Sequence, residues 1–301
     1  MTWIVLALIA PLFWAFSNLF DKYALDRVSK NIPDFIFFGT MGSFVVVLSL
    51  LSFANLGPIS NNLLVLAILG GALINYSYIF YAKALEKADA SSVVPLFQTI
   101  PIFVLVLGFL FFDELISKAQ FIGFFVVFVG GLVLTIDRSV LRKFKINKGF
   151  WLMLPSSLMI AVSTLLADHV LESVSFITFF TYDLVGFSLA GISLLLYSPW
   201  RKTIIKGIKE ARPPKYLLYF INDGFDMAGH IFYTFALISA PSAALASVVL
   251  GVQPFYVLVL GTLLTLFMPK IIKENISKSE FSQKLLGILI ISTGIILISL
   301  L

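Results

Sequence analysis

The amino-acid sequence predicts an all-α membrane protein whose ten transmembrane helices form two inverted five-helix repeats. Three observations lead to this fold class: a very apolar composition, ten long apolar segments, and a residue pattern that occurs once in each half of the chain. Together they predict a first repeat over residues 1–136, a basic cytoplasmic linker over 137–148 and a second repeat over 149–301.

The composition indicates a membrane environment. Of the 301 residues, 59% are hydrophobic and only 12% are charged, and the mean hydropathy is +1.02. Soluble domains are about half apolar and about a quarter charged, so no soluble core could absorb this much apolar surface. The chain has no cysteine, which excludes disulfides and thiol-ligated metals, and we expect neither a cofactor nor a metal site. The formal charge of +5 lies between the apolar segments, so nucleic acid is not an expected partner.

Ten segments are long enough to cross a bilayer, which takes about 20 apolar residues in a helix. They are continuous and lack the period-2 alternation of barrel strands. These predicted spans cover residues 3–22, 34–54, 62–84, 91–112, 118–136, 149–171, 175–198, 215–238, 241–267 and 283–300.

A residue pattern in the first half recurs in the second half. The first copy contains Tyr81, Ala84, Leu85 and Pro101, and the second contains Tyr233, Ala236, Leu237 and Pro254. The last span of each half also begins after a glutamate and carries two glycines seven residues apart: Glu114 precedes Gly123 and Gly130, and Glu280 precedes Gly287 and Gly294. Such internal duplication in an apolar chain is typical of secondary transporters.

The basic residues predict the topology. Every Lys and Arg except Lys118 lies in, or at the edge of, a loop that follows an odd-numbered span. Because cytoplasmic loops are enriched in Lys and Arg, these loops are predicted to be cytoplasmic and both termini to lie outside, in a multi-pass protein of the cell membrane. Five spans is an odd number, so the second repeat enters the membrane from the opposite side and the repeats are inverted, with a site expected near the midplane where they meet.

These features resemble the drug/metabolite transporter superfamily, particularly its EamA-like members. The resemblance rests on the first-span segment Leu12 to Asn18 with Trp14, on the paired tyrosine segments, and on the glutamate-then-glycine starts of spans 5 and 10. It implies a transporter rather than an enzyme. It also implies that spans 1, 3, 4, 6, 8 and 9 line a central cavity, while spans 5 and 10 lie at the periphery.

Span 8 is the most polar predicted span. It carries Asn222, Asp223, Asp226 and His230, of which Asn222, Asp226 and His230 share one face at intervals of four residues. Charges in hydrocarbon cost at least about 2.5–3.5 kcal/mol and normally face a cavity or a partner. These residues either neutralise one another in a buried network or line the transport pathway, and we favour the pathway.

Further candidates for substrate binding come from other spans. Span 7 supplies Tyr182 and Asp183, and the two glutamines beside prolines are Gln98 and Gln253. The first half supplies mainly aromatic and amide side chains: Trp14, Asn18, Asn75, Tyr78 and Tyr81. An aromatic wall facing carboxylates suits a cation through cation–π attraction and charge compensation. A small cationic or zwitterionic metabolite, such as an amino acid, an amine or a quaternary ammonium compound, is therefore the favoured substrate.

Prolines predict the moving parts. Pro95 and Pro101 in span 4 and Pro254 in span 9 are expected to interrupt the helical hydrogen bonds and act as hinges. We expect alternating access at the central site, and coupling to protons, if it occurs, through Asp223, Asp226 and His230, because both side-chain types can change protonation near neutral pH.

Two other functional classes remain open. A passive channel or a lipid flippase could use the same scaffold. Asp183 and Asp223 also resemble, thinly, the paired aspartates of intramembrane aspartyl proteases, but the Gly-x-Gly of those enzymes is replaced by Phe220, Ile221 and Asn222. The expected partners are a small-molecule substrate, the lipid bilayer and protons. A monomer suffices to enclose a pathway, although the glycine faces of spans 5 and 10 leave a dimer open.

Overall fold

The computed structural model describes residues 2–29, 31–87, 93–135, 148–267 and 278–300. All regular structure in these ranges is helical. Six of the described helical stretches are long and apolar enough to cross a membrane: Thr2–Val28, Ile32–Phe53, Asn61–Leu85, Gly149–Leu171, Phe176–Leu196 and Ala243–Thr265. Shorter apolar helices cover Leu96–Phe111, Lys118–Val133 and Leu286–Ile298. The prediction of an all-α membrane protein is confirmed, and the number of spans stays a prediction.

The described residues of the first half form six α-helices, several of them shorter than the predicted spans. They are α1 (Thr2–Tyr23), which continues into a π-helical turn (Ala24–Val28), α2 (Ile32–Phe38), α3 (Met41–Phe53), α4 (Asn61–Leu85), α5 (Thr99–Phe111) and α6 (Lys118–Thr135). A 3₁₀-helix (Val94–Gln98) precedes α5. The predicted second span is interrupted at Gly39 and Thr40, between α2 and α3.

Within residues 148–267 and 278–300, the second half forms seven α-helices. They are α7 (Lys148–Leu171), α8 (Phe176–Ser193), α9 (Ser198–Glu210), α10 (Pro213–Ser239), α11 (Ala243–Val249), α12 (Gln253–Phe267) and α13 (Lys278–Leu300). Short 3₁₀-helices follow α8 (Leu194–Leu196) and join α11 to α12 (Leu250–Val252). The predicted linker lies outside the described residues except for Lys148, with which α7 begins.

Helix α9 corrects the interpretation of residues 198–210 as a plain basic loop. Ile204 and Gly207 are buried, one helical turn apart, whereas the Lys and Arg side chains of this helix are exposed. The buried face packs against α2, where the buried carboxylate of Asp34 lies 2.6 Å from Nζ of Lys215. The sequence reading counted the charges of this segment and overlooked its apolar residues at helical spacing.

Helix α10 is long enough to span a bilayer although it is not among the six apolar helices. Its 27 residues correspond to about 40 Å at 1.5 Å per residue. Asp223, Asp226 and His230 lie in its middle third. These three side chains therefore lie far from both ends of the helix.

The most extensive helix contacts join one half of the chain to the other. α1 packs on α10 and on α12, α4 packs on α7 and on α8, α5 packs on α7, and α6 packs on α13. In the predicted repeat, α4 corresponds to α10, α7 to α1, and α8 to α3. The α4–α7 contact therefore corresponds to the α10–α1 contact, and the α4–α8 contact corresponds to an α10–α3 contact, which is also present.

Glycines allow the closest of these helix crossings. A Cβ atom at Gly71 of α4 would lie 1.8 Å from the carbonyl oxygen of Asp183, and one at Gly186 of α8 would lie 1.9 Å from that of Ile68. The α6–α13 crossing is similar, because a Cβ at Gly130 would lie 2.8 Å from the backbone nitrogen of Ile291. The small-residue faces of α6 and α13 are thus used within the chain.

Candidate functional site

A cavity of about 140 Å³ lies between the two halves of the chain. It is lined by side chains from helices of both halves, and eleven of the residues selected from the sequence are among them. These are Trp14, Asn18, Tyr78, Tyr81, Gln98, Pro101, Asp183, Asp226, His230, Gln253 and Pro254. We call it the central cavity.

One part of the central cavity is acidic. The Tyr78 hydroxyl donates a 3.0 Å hydrogen bond to Oδ1 of Asp226. His230 Nε2 lies 3.2 Å from Oδ2 of Asp183, within ion-pair distance. Asp183 therefore pairs with a residue of α10 and also lines the cavity.

Trp14 approaches α10 directly because of a glycine. Its indole Nε1 donates to the carbonyl oxygen of Asp226 at 3.2 Å. A Cβ at Gly229 would lie only 2.6 Å from that same nitrogen. Trp14 therefore reaches the backbone of α10 because Gly229 has no side chain. Gly224, by contrast, has no neighbouring atom within 4 Å of its Cβ position.

A second part of the cavity is a chain of amide groups. Gln253 Nε2 donates to Oδ1 of Asn18 at 2.7 Å, and Asn18 Nδ2 donates to the Tyr81 hydroxyl at 3.0 Å. Gln98 Nε2 donates to the carbonyl oxygen of Gly251 at 3.0 Å. Gln98 therefore links the two 3₁₀-helices to each other, and Gln253 links the start of α12 to α1.

Two smaller cavities adjoin the central one. The first, of about 30 Å³, is lined by Asn75, Asn222, Asp223 and Asp226 and also by Asp21; we call it the second cavity. The other, of about 20 Å³, is lined by all three aspartates of α8 and α10. Asp226 lines all three cavities. The polar face of α10 is thus divided, with His230 in the central cavity and Asn222 in the second.

Asp21 is the main polar residue that the sequence reading missed. It lies at the end of the predicted first span, 3–22, but it is only 2% exposed, and its Oδ1 accepts a 2.8 Å hydrogen bond from Asn222. A signal was present: Trp14, Asn18 and Asp21 occur at helical spacing on one face. The π-helical turn of Ala24–Val28 extends the helix beyond Asp21, so this residue lies well inside it.

Tyr182 lies outside the three cavities. It packs against the apolar cluster of Ala67, Val170, Val174 and Phe179. Neighbouring residues of a helix point about 100° apart, so Tyr182 and Asp183 cannot share one face. Its placement does not support the expected contact with substrate.

The prolines lie beside the helix breaks and do not cause them in the expected way. Pro101 is the third residue of α5 and Pro254 the second residue of α12, where the missing N–H removes no hydrogen bond within the helix. The breaks are the 3₁₀-helices that precede them. Pro95 lies in the first of these 3₁₀-helices, and its side chain is outside the described residues.

Glu114 links the loop after α5 to the start of α11. It lies in the loop between α5 and α6, where its Oε2 accepts a long hydrogen bond of 3.5 Å from the backbone of Ala244, at the start of α11. Burial, and to a smaller extent the charge of Glu172, raises the pKa of the Glu114 carboxyl. Among the described residues, no group of three or more His, Asp or Glu side chains is arranged to hold a metal ion.

Known proteins resemble both the sequence and the fold. Residues 1–136 match the model of the EamA-like transporter family, which confirms the resemblance to the drug/metabolite transporter superfamily. A relative from Methanocaldococcus jannaschii, "Uncharacterized protein MJ1333.1", is 27% identical over 136 residues, which are 45% of this chain and 98% of that protein. A solved protein described only as "Crystal structure of protein" superposes with a TM-score of 0.62 at 16% identity, over 98% of this chain and 96% of that chain. This last similarity shows a shared fold.

Proposed function

From the premise that residues 1–136 are those of an EamA-like membrane transporter, we propose that this chain carries a small cationic or zwitterionic metabolite across the cell membrane by alternating access. The substrate binds in the central cavity. The observation that carries the proposal is that two carboxylates, the buried Asp183 and the half-buried Asp226, line one cavity together with aromatic side chains.

The charges of the central cavity favour a positively charged group. Asp183 and Asp226 face a single imidazole, that of His230, and none of the described residues that line the cavity is Lys or Arg. A cation or ammonium group compensates the excess negative charge, whose isolation in a low-dielectric site would be costly.

The aromatic lining supports the same substrate class. Trp14, Tyr78, Tyr81, Phe97 and Tyr233 all line the cavity. Their rings attract a cation by about 0.5–2 kcal/mol each, more when water is excluded. The amide groups of Asn18 and Gln253 could bind the carboxylate of a zwitterion.

The arrangement of helices supports alternating access by two inverted repeats. Helix contacts occur in exchangeable pairs, as the α4–α7 and α10–α1 contacts illustrate, and the relative of half this length is consistent with a duplicated unit. The helix breaks beside Pro101 and Pro254 lie in corresponding spans and are the proposed hinges. In this proposal ten spans place both termini outside, with the basic segments in the cytoplasm.

Ligand-dependent thermal unfolding of the detergent-purified protein tests the proposal. Amino acids, amines, quaternary ammonium compounds, nucleosides and sugars are compared, because a ligand of the folded state raises its apparent stability. We expect stabilisation by a cationic or zwitterionic compound and its loss in Asp226→Asn. The matched control is Asp26→Asn, since Asp26 is half-exposed and contacts Lys22 at 3.2 Å, away from the central cavity; it should keep the stabilisation.

Transport of the stabilising compound then distinguishes the candidate mechanisms. Proteoliposomes preloaded with unlabelled compound should accumulate the labelled compound transiently, which a passive channel does not produce. Stabilisation only by anionic or neutral compounds, unchanged in Asp226→Asn, would contradict the proposed substrate class. Scrambling of labelled lipid without counterflow would favour the flippase.

A further inference from the structure

We propose that the second cavity binds a small monovalent metal cation, with Na⁺ as the probe, at oxygen atoms of Asp21, Asn75 and Asn222. The binding itself does not depend on the substrate class proposed above, and only its role in transport rests on the proposed function. The site lies beside the central cavity, separated from it by Asp226 and Tyr78, which line both.

Three buried oxygens of residues that line this cavity accept no hydrogen bond of good geometry among the described residues, although the Tyr81 hydroxyl is near enough to Asp21 to interact with its carboxylate. They are Asp21 Oδ2, Asn75 Oδ1 and Asn222 Oδ1. Their residues are 2%, 1% and 6% exposed, respectively. A buried acceptor without a donor costs about 1–3 kcal/mol, so three of them on residues that line one small cavity favour a shared ligand.

The hydrogen bonds of the two amides account for their orientation. Asn222 Nδ2 donates to Oδ1 of Asp21 at 2.8 Å, and Asn75 Nδ2 donates to the Thr40 hydroxyl at 3.2 Å. With each amide nitrogen engaged, the carbonyl oxygen is the end that remains for a ligand. Two waters could satisfy the same oxygens, whereas a cation contacts them and also compensates the negative charge of the Asp21 carboxylate.

The ligand set and the space favour a monovalent ion. Oxygen ligands suit hard cations, and only one of the three unpartnered oxygens belongs to a carboxylate. Asp223 also lines the cavity, and its Oδ2 accepts a 2.8 Å hydrogen bond from the backbone of Gly42. The volume of about 30 Å³ accommodates an ion and one or two waters, since a water needs about 10–15 Å³ on this measure.

The neighbouring basic residues are directed elsewhere. Lys22 follows Asp21 in the chain, but its Nζ donates to the carbonyl oxygen of Leu85 at 3.0 Å and contacts Asp26 at 3.2 Å. Lys215 contacts Asp34 at 2.6 Å. None of the described residues that line the second cavity is Lys, Arg or His, whereas Asp21, Asp223 and Asp226 all line it.

Asp226 gives this cation a consequence for transport. A cation in the second cavity lies next to the carboxylate that attracts the proposed substrate, and it reduces the attraction for a second positive charge. Cation and cationic substrate therefore bind antagonistically, and by linkage each weakens the affinity for the other by the same factor. Exchange of one for the other follows directly from this arrangement.

Binding of radioactive Na⁺ to the purified full-length protein, measured without substrate, tests the site. We expect saturable binding that unlabelled Na⁺ displaces. Asp21→Asn should weaken it by about 10–100-fold or more, because even outer partners of metal ligands are worth that much. Asn75→Ala should weaken it too, and it guards against misfolding because it leaves no unpaired charge. Asp26→Asn should bind as the wild type does.

Each outcome is decisive. Saturable binding lost in Asp21→Asn and Asn75→Ala, with monodisperse protein, supports the site. Absence of saturable binding in the wild type overturns it, and so does binding by both variants that equals that of the wild type. Stability that responds to pH but not to Na⁺ also overturns it and would assign the cavity to a proton. Because no substrate is present, failure here leaves the test of Asp226 in the central cavity unaffected.

Discussion

The 3.0 Å hydrogen bond from the Tyr78 hydroxyl to Oδ1 of Asp226 joins the two halves of the chain inside the central cavity. Tyr78 belongs to α4 and Asp226 to α10, which are counterparts in the predicted repeat. Trp14 of α1 also bonds to the backbone of Asp226. Any rearrangement of one half against the other must therefore change the surroundings of this carboxylate.

Removal of the tyrosine hydroxyl should weaken substrate binding. In Tyr78→Phe, Asp226 loses a donor while the ring and its cation–π contribution remain. A hydrogen bond to a charged group is worth about 1.5–3 kcal/mol. The Kd of the stabilising compound should therefore increase by roughly 10–100-fold, measured by thermal shift or calorimetry.

Tyr76→Phe is the matched control for this experiment. Tyr76 lies on the same helix, and its hydroxyl is 2.7 Å from the Ser193 hydroxyl, outside the central cavity. It should cost some stability and leave the Kd unchanged. Equal effects of both variants on the Kd would show that α4, rather than the Asp226 contact, is responsible.

The His230–Asp183 contact should appear as a coupling energy. In a double-mutant cycle of His230→Gln and Asp183→Asn, each single change leaves a buried polar partner unsatisfied. Residues in direct contact couple by about 0.5–3 kcal/mol, and we expect the upper part of that range in the free energy of unfolding. His169 and Glu172 form an exposed pair at 3.8 Å, and His169→Gln with Glu172→Gln should couple by less than about 1 kcal/mol. Similar values for both cycles would contradict a functional ion pair.

Gly71 should not tolerate a side chain. Gly71→Ala places a methyl group 1.8 Å from the Asp183 carbonyl oxygen, so α4 and α8 must separate. Overpacking typically costs about 1–3 kcal/mol, and the melting temperature and ligand affinity should both fall because Asp183 moves. Gly224→Ala is the control, since its Cβ meets no atom within 4 Å and alanine favours a helix by about 1 kcal/mol. A stable, fully binding Gly71→Ala would show that the crossing is wider than described.

Glu114 should make stability depend on pH in one direction. Burial raises its pKa above the usual 4.5, so between 4.5 and the folded-state pKa the folded protein binds more protons than the unfolded chain. Stability is then highest below about pH 4.5 and decreases as the pH rises through the folded-state pKa. Glu114→Gln should remove this decrease, seen as the difference between wild-type and variant melting curves from acidic to neutral pH. Glu86→Gln removes an exposed glutamate and serves as the control; a difference curve that rises with pH would refute the assignment.

Part of the candidate site could be predicted because side-chain types and their helical spacing can be read directly from the sequence. Asp226, His230, Trp14 and Asn18 were selected in this way, and the structure brings them into one cavity. Their role in binding stays a proposal. Asp21 was overlooked because a charge near the end of an apolar segment is usually solvated, and only the π-helical continuation of α1 places it inside.

The sequence by itself determined that the chain is an apolar, all-helical membrane protein, because the cost of exposing apolar residues to water and backbone groups to lipid leaves few other structures. It also determined which polar side chains could be functional. Only the tertiary structure decided which of them meet. Asp183, at the close crossing of α4 and α8, lies beside His230 of α10, and Asn75 and Asn222 line a second cavity with Asp21. Helical periodicity specifies the face of one helix, whereas the distance between two faces depends on how closely the backbones can pack.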